Sequence, residues 1–398
     1  MILPRISSGP LPRSADCVVI GGGVLGAATA FYATRAGLRT VLLEKRAALC
    51  TLTTPASAGA FRLQFDNREE LELVRESVEV FEHFSAHTGL SRYDLGLCRQ
   101  GYLWLTTSAA GAQAQKDLVE RQHSWGLDDV ELLSGDEARL RFPYLAPDIV
   151  SARFRAGDGW LDARRLSMGF AAASAATFVL ETAATGFEVA GGRLKGVQTA
   201  TGTVACDLAV IAAGPFSGTV AEWAGLELQL ETKIRHRLIF PDLPDVPSGA
   251  PMTIDEDTGA HWRPHSGGAF VLYPQQDTPA GPPLENVPTS VDFYFALLRP
   301  ESAASVARTA PFWREVWQRN TDSWYLTAGQ YTYTPDHRPY LGPTPVAGLG
   351  LNCGYSGHGV MASAGGSRLV IDTLLGHIKP EKNRFRLDRM VQPQTAVL

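Results

Sequence analysis

Gly21, Gly23 and Gly26 stand in a G-x-G-x-x-G spacing, and an acidic residue, Glu44, follows about 20 residues on. The first glycine of such a set allows a tight strand-to-helix turn. The second lets backbone approach a pyrophosphate, and the third lets helix and strand pack closely. A helix opening at that point offers unpaired N–H groups and a partial positive charge to phosphates. A carboxylate ending the next strand accepts hydrogen bonds from ribose hydroxyls. The local pattern supplies the context this chemistry needs. Residues 16–20 read as a short buried strand, 27–36 as a helix, and Gly37 as its C-terminal stop. Residues 39–43 then read as a second strand ending at Glu44. This is a βαβ unit suited to a dinucleotide. No second G-x-G-x-x-G follows, so a built-in NAD(P)H site is not expected.

Three further sets of residues invite a chemical reading. Arg62 lies among apolar Phe61, Leu63 and Phe65, which argues for partial burial, and a buried arginine needs a partner. Gly357-His358-Gly359 offers two glycines that permit close backbone approach to a flat ligand. His358 there can face the ligand, or serve as a structural histidine bonded to backbone. His261-Trp262-Arg263-Pro264 reads as a strand on which His261 and Arg263 share one face. Tyr331, Tyr333 and His337 are weaker candidates.

The elements that must position these groups change character along the chain. Residues 68–90 carry apolar residues at helical spacing, with Asn67 and Glu70 as a capping box at the start. Ser134 and Glu137 repeat that signature. Residues 183–190 and 193–200 alternate around Gly191-Gly192, a hairpin signal. The continuous apolar run 208–214, through Ala213 into a glycine turn at Gly214, fits a strand buried on both faces of a parallel sheet. The Pro/Gly-rich stretch 240–300 reads as part of a second, more antiparallel unit, with short strands at 269–273 and 291–298. A last helix is predicted over 362–375.

With 398 residues, the chain is long enough for about two or three domains. Its 45% apolar and 19% charged composition excludes disorder and coiled coil. A net charge of −5 gives no reason to expect nucleic acid as a partner. Cys17, Cys50, Cys98, Cys206 and Cys353 are scattered, without metal or disulfide spacing, so no metal is expected and a reducing, cytoplasmic setting is. No run reaches the ~18 apolar residues that span a bilayer, and residues 1–14 lack the continuous apolar core of a signal peptide.

Read together, four blocks resemble the D-amino-acid oxidase/sarcosine oxidase family of FAD-dependent amine oxidoreductases. They are VVIGGGVLGAATAFYATRAGLRTVLLEK, AGAFRLQF, CDLAVIAAGPFS and TPDHRPYLGP…LNCGYSGHGVMASAGGSRLV. The resemblance implies an α/β fold: a glutathione-reductase-like FAD-binding Rossmann domain (1–75, 155–218 and 329–398) and an α+β, mostly antiparallel-sheet substrate domain (76–154 and 219–328). It implies FAD contacts from Gly21, Gly23, Val24, Leu25, Gly26, Glu44 and Lys45, and from Ser57, Ala58, Gly59 and Arg62. Further contacts are implied from Ala184, Ala213 and Gly214, and in the tail from Gly357, His358, Gly359, Val360 and Met361. Arg62, His261, Arg263 and His358 are the catalytic candidates. The reaction implied is hydride transfer from the C–N bond of a small amine or amino acid to the flavin, giving an imine that hydrolyses. Oxygen or an electron carrier would accept the electrons.

Departures from the family pattern shape the expectation. Met361 stands where sarcosine-oxidase-like relatives place a lysine for the substrate carboxylate, Phe65 where they have a second arginine, and Leu272 where a lysine speeds oxygen reduction. Gly329 and Ala56 occupy the places of residues that attach flavin covalently in some relatives, so FAD is expected to be non-covalent. The alternatives are a dehydrogenase of the same fold, a flavin-binding assembly factor without turnover, and an NADPH-using hydroxylase. Oligomeric state is not legible.

Overall fold

A computed structural model describes residues 5–7 and 10–391. The leader reading of 1–14 thus falls partly outside the described residues. Seven short strands from four well-separated regions of the chain build one sheet around Cys17–Ile20. Its neighbours are Thr40–Leu43 on one side and Leu208–Ile211 on the other, both parallel to it. Leu349–Cys353 extends the parallel set, and Tyr340–Pro343 closes that edge antiparallel. Thr177–Val179 and Arg5–Ser7 complete the opposite edge. Val18, Val19, Ala209, Val210 and Leu351 have no exposed surface, as continuous apolar runs require when both sheet faces are covered.

The helix Val24–Arg35 lies on this sheet against helices Ala163–Ala173 and Ser363–Leu374. Its contact residues are small: Ala27, Ala28, Ala30 and Ala33 are all fully buried. A polar clip joins the helix to the tail. Asn352 Nδ2 donates to Thr29 Oγ1 (2.8 Å) and Ser367 Oγ (3.0 Å), and Tyr355 O–H donates to Asn352 Oδ1 (2.6 Å). Every group in the clip is buried, so each bond replaces water that cannot enter. The hairpin Ala184–Ala190/Arg193–Thr199 turns at Gly191-Gly192 and pairs with Gly202–Ala205 in a separate three-stranded sheet.

An eight-stranded sheet forms the other main layer. It runs Tyr325–Tyr333, Glu231–Phe240, Gly268–Leu272, His261–His265, Met252–Asp255, Tyr102–Thr106, Ser151–Arg155 and Glu131–Ser134. All its pairings are antiparallel except that of Met252–Asp255 with Tyr102–Thr106. Register places Arg237, Leu272, His261, Ile254 and Trp104 in one row across one face.

Two local expectations need correction. The predicted strand at 291–298 is a helix, Asp292–Leu298. Its buried residues Phe293, Tyr294, Leu297 and Leu298 recur at helical spacing, and the aromatic β-formers misled because only burial on one stripe decides such a short run. The helix expected over 68–90 is two, Arg68–Glu82 and Phe84–Thr88, broken at His83. Ser134 and Glu137 form the reciprocal capping box. Asn67 caps its helix through Glu70 N–H, while the Glu70 carboxylate accepts from Asn67 Nδ2 (2.7 Å) and turns inward.

Gly26 marks the tightest approach of helix and strand turn. A Cβ there would lie 1.8 Å from the Gly21 carbonyl oxygen, which is backbone and cannot step aside. Gly26→Ala must therefore lift the helix off the turn. The expected cost is more than about 2 kcal/mol, read as a clearly lowered thermal midpoint. An unchanged midpoint would show that the helix has room to shift.

Candidate cofactor and active site

The strand Cys17–Ile20 delivers the chain into Gly21, whose φ of +110° and contact with the Ala212 carbonyl (2.5 Å from a Cβ placed there) admit only glycine. Gly23 is the N-cap of the following helix in extended backbone. Val24 N–H donates to Thr54 Oγ1 (3.2 Å), and Glu44 Oε2 accepts from Gly22 N–H (2.6 Å). The carboxylate's other oxygen accepts from Arg46 N–H (2.8 Å), which orients it at the end of the second strand. From Glu44 and Lys45 a cleft runs past Gly21, Gly23, Val24 and Leu25, is walled by Ala184, Ala213 and Gly214, and reaches Gly357, Gly359 and Val360. A glycine cradle at a helix N-terminus with a carboxylate at one end fits a dinucleotide. Cys50 and Cys353 also line the cleft, but burial pushes their thiols up to about 11 and about 12, so neither supplies a thiolate.

At its Gly357 end the cleft meets a second cavity beneath the eight-stranded sheet. Ser57, Tyr331, Ser356 and Gly357 line both. Arg62, buried, faces this cavity with its guanidinium over the rings of Phe65 (4.9 Å) and Trp104 (5.0 Å). A chain of contacts aims it. Arg62 Nη2 lies 3.5 Å from His358 Nε2, and His358 Nδ1 lies 3.2 Å from Glu70 Oε1. A carboxylate opposite Nδ1 assigns the proton to that nitrogen and leaves Nε2 to accept from the guanidinium. Burial would raise the Glu70 carboxyl, but hydrogen bonds from His358 and Asn67 and the Arg338 charge outweigh it and hold it below its ordinary value. The backbone beside Arg62 is pinned independently: fully buried Asp158 accepts from Leu63 N–H (2.9 Å) and Gln64 Nε2 (2.9 Å), with Arg155 as its ionic partner.

His261 stands on the strand His261–His265 and also lines the cavity. Its Nδ1 lies 2.8 Å from the Gly259 carbonyl, which can only accept, so Nδ1 carries the proton and Nε2 holds a lone pair. Burial, helped by the Arg62 charge and opposed by the Gly259 carbonyl, lowers the imidazole to about 4. The ring is thus neutral at pH 7 and presents an acceptor. Tyr331 packs its ring against Gly357, and burial pushes its phenol up to about 12, leaving a neutral O–H. Arg235 brings a second cation: it lines the cavity, donates from Nε to Tyr333 O–H oxygen (2.9 Å), and lies over the Tyr333 ring (5.2 Å).

The structure therefore brings Arg62, His261, His358 and Met361 to one cavity, with Leu272 in its wall and Phe65 edge-on to His358 (5.2 Å). It does not bring Arg263 there, a correction to the expected pairing with His261. The two share a sheet face, but two residues along a strand are about 6.6 Å apart, and Ser57 and Ala58 intervene, lining the cavities on either side. Arg263 donates to the Ala58 carbonyl (2.7 and 3.2 Å) and to Pro264 (2.8 Å). Gly26 and Gly59 do not line the cleft; a Cβ on Gly59 would meet the Leu161 carbonyl at 2.0 Å, so its part is packing. Gly329 and Ala56 touch one another, where a Cβ on Gly329 would come within 2.9 Å of the Ala56 methyl. His337 lies against Tyr333 (5.5 Å between rings) outside the cavity lining. Arg235, Tyr102, Trp104 and the inward-facing Glu70 were missed. The alternation Lys233-x-Arg235-x-Arg237 on a strand carried the signal for the first.

The lowered His261 pKa has a stability consequence. In the unfolded chain the ring binds a proton below about pH 6.5, whereas the folded site resists it until about 4. Stability is therefore full above pH 6.5 and is lost as pH falls through that window, by on the order of 2–3 kcal/mol. His261→Gln should flatten this acid limb in urea unfolding at pH 4.5 to 7.5. A limb unchanged in the variant would assign it elsewhere.

Comparison with known proteins agrees with this geometry. The family model described as DAO, FAD dependent oxidoreductase, matches residues 16–373. FAD-dependent oxidoreductase domain-containing protein 1 of Xenopus laevis is 27% identical over 94% of this chain and 81% of its own length. The mitochondrial sarcosine dehydrogenase of Mus musculus is 24% identical over 97% of this chain, which spans only 42% of that relative. Among solved structures, glycine oxidase from Geobacillus kaustophilus superposes with a TM-score of 0.80 at 22% identity, covering 96% of this chain and 100% of that one. L-proline dehydrogenase from P. horikoshii gives 0.79 at 23%, covering 92% and 95%. These structural likenesses establish the fold, and the family match over the sheet, cleft and tail establishes the cofactor. The chain belongs to the DAO family of FAD-dependent oxidoreductases.

Proposed function

We propose that this chain oxidises the C–N bond of a small amine or amino acid that carries an anionic group. The observation behind the reading is the junction at Gly357, where the dinucleotide cleft opens into a cavity with a fixed cation, a neutral imidazole and a phenol on its walls. Bound FAD supplies the acceptor for two electrons and one hydrogen. The substrate ammonium releases a proton to solvent as it binds, then loses that hydride equivalent from carbon, and water hydrolyses the resulting iminium to a carbonyl compound and an ammonium product. His261 Nε2 accepts a hydrogen bond from the amine and orients it; as so weak a base it does not store the proton. Arg62 presents its positive charge to the ring end of the cleft, where negative charge develops during reduction. Arg235, held by Tyr333, reaches the anionic group, a carboxylate or phosphonate, with its planar fork. The names of the relatives, enzymes of sarcosine, glycine and proline, support an amino-acid-like substrate. Ala56, Gly329 and two protonated thiols support non-covalent FAD. Apolar Leu272 in the cavity wall favours an electron carrier over oxygen as a second reading. Among the described residues no helix is long and apolar enough to cross a membrane, and the cytoplasmic placement rests on the five free cysteines alone.

The deciding experiment is an anaerobic screen of amines and amino acids against the purified yellow protein, following loss of flavin absorbance. Acid precipitation should release the flavin into the supernatant, and a peroxide assay separates oxidase from dehydrogenase. A protein whose flavin no amine reduces would sink the reading. Arg62→Ala should slow flavin reduction by about 30- to 1000-fold, from about 2–4 kcal/mol of lost stabilisation, and weaken FAD binding less. Arg235→Met should raise KM for the anionic amine by tenfold or more, on the order of a charge-assisted bond, while Arg263→Lys leaves KM nearly unchanged. The reverse pattern would return the anion grip to Arg263.

A further inference from the structure

On the far side of Ser57 and Ala58 lies another cavity of about 810 Å³, within the size range of small-molecule sites. Arg237 and Arg263, both more than nine-tenths buried, line it. The hydrogen bonds of Arg263 go to neutral carbonyls of Ala58 and Pro264, those of Arg237 to Pro55 and Ser57. Arg237 Nε is buried without any acceptor. The Phe270 ring lies under both guanidiniums, at 4.2 and 4.4 Å. Among the described residues no carboxylate forms an ion pair with either arginine, and Asp162 is the sole acid on the lining. Asp162 is already engaged by Arg164 N–H (2.8 Å) and Arg165 N–H (3.0 Å) as a helix cap. Arg164 adds another charge at the exposed rim.

Carbonyl dipoles satisfy donors but do not neutralise two buried like charges, and such charges are costly without a counterion. Trp160, Phe270 and Val246 give the wall an apolar and aromatic side, beside neutral polar Gln100, Ser248 and Ser266. We infer that this cavity binds an amphipathic organic anion, its carboxylate or phosphate head at Arg237 and Arg263 and its apolar body against Trp160 and Phe270. The site is distinct from the one where C–N oxidation is placed, and a ligand here presses on the same 55–58 segment that walls the active cavity.

Phenyl phosphate, titrated calorimetrically into the FAD-loaded protein, probes the head and body together, with inorganic phosphate and phenol as the separate halves. One phenyl phosphate should bind per chain, inorganic phosphate about tenfold more weakly or worse, and phenol not at all. Arg237→Met should weaken binding by tenfold or more and Arg164→Glu by about threefold or more, through lost or reversed charge. If Arg237→Met fails to retain FAD, Arg164→Glu alone decides. Arg235→Met, in the active cavity, should leave phenyl phosphate binding intact. Absence of binding, wild-type affinity in Arg164→Glu, or loss of binding in Arg235→Met would overturn the assignment.

Discussion

Residues 55–64 cross between the cofactor cleft and the eight-stranded sheet, and charged side chains from elsewhere in the chain hold their backbone in place. Arg237 grips the carbonyls of Pro55 and Ser57, Arg263 that of Ala58, and Asp158 the N–H of Leu63. A loop buried this deeply cannot satisfy its peptide groups with water, so each must find a partner or cost stability. Because the partners are charged, the bonds are stronger than neutral ones and orient the segment tightly. Its two ends are thereby set: Ser57 at the meeting point of cleft and cavity, Arg62 at the cavity wall.

That constraint explains why the site's cations differ in character. Arg62 is aimed through His358 onto Glu70, a carboxylate with one oxygen on its helix cap and the other on His358. Arg237 and Arg263 donate to neutral carbonyls and share the Phe270 ring, and burial first, then Arg164 acting on Arg237 and Arg237 on Arg263, lowers them to about 10 and about 9. Arginine tolerates this because it stays protonated well above pH 7 even so. Burial, with Arg62 near His261 and with Arg263 and Arg237 near His265, lowers both imidazoles to about 4, so they accept hydrogen bonds rather than add charge.

The parallel sheet and the antiparallel sheet divide the work on physical grounds. A parallel sheet brings strand C-termini and a helix N-terminus to one edge, where backbone N–H groups can meet phosphates without side-chain charge. An antiparallel face offers alternating side chains in rows. Here those rows supply Trp104, Ile254, His261, Leu272 and Arg237 across adjoining strands. The tail contributes to both, since the Asn352–Tyr355 clip fastens it to the first helix and leaves Gly357 and His358 at the junction.

The dinucleotide unit was legible because its constraints are local. Gly21, Gly26 and Glu44 act within one βαβ unit, and a backbone that collides with any Cβ leaves a glycine spacing that can be read directly. The Gly191-Gly192 hairpin and the buried run at Leu208–Ile211 were legible for the same reason. The helix Asp292–Leu298 was not, since seven residues hold too few periods to separate stripe from alternation. Nor could the chain order show that Glu70, while still bonded to Asn67 in its cap, would meet a histidine 288 positions away. His261 and Arg263 illustrate the limit most clearly. Alternation along a strand determined that they share a face, but only the tertiary structure decided that the 57–58 peptide runs between them and sends one to each cavity. Periodicity specifies direction from the backbone; what occupies the space ahead depends on segments that arrive from elsewhere in the chain.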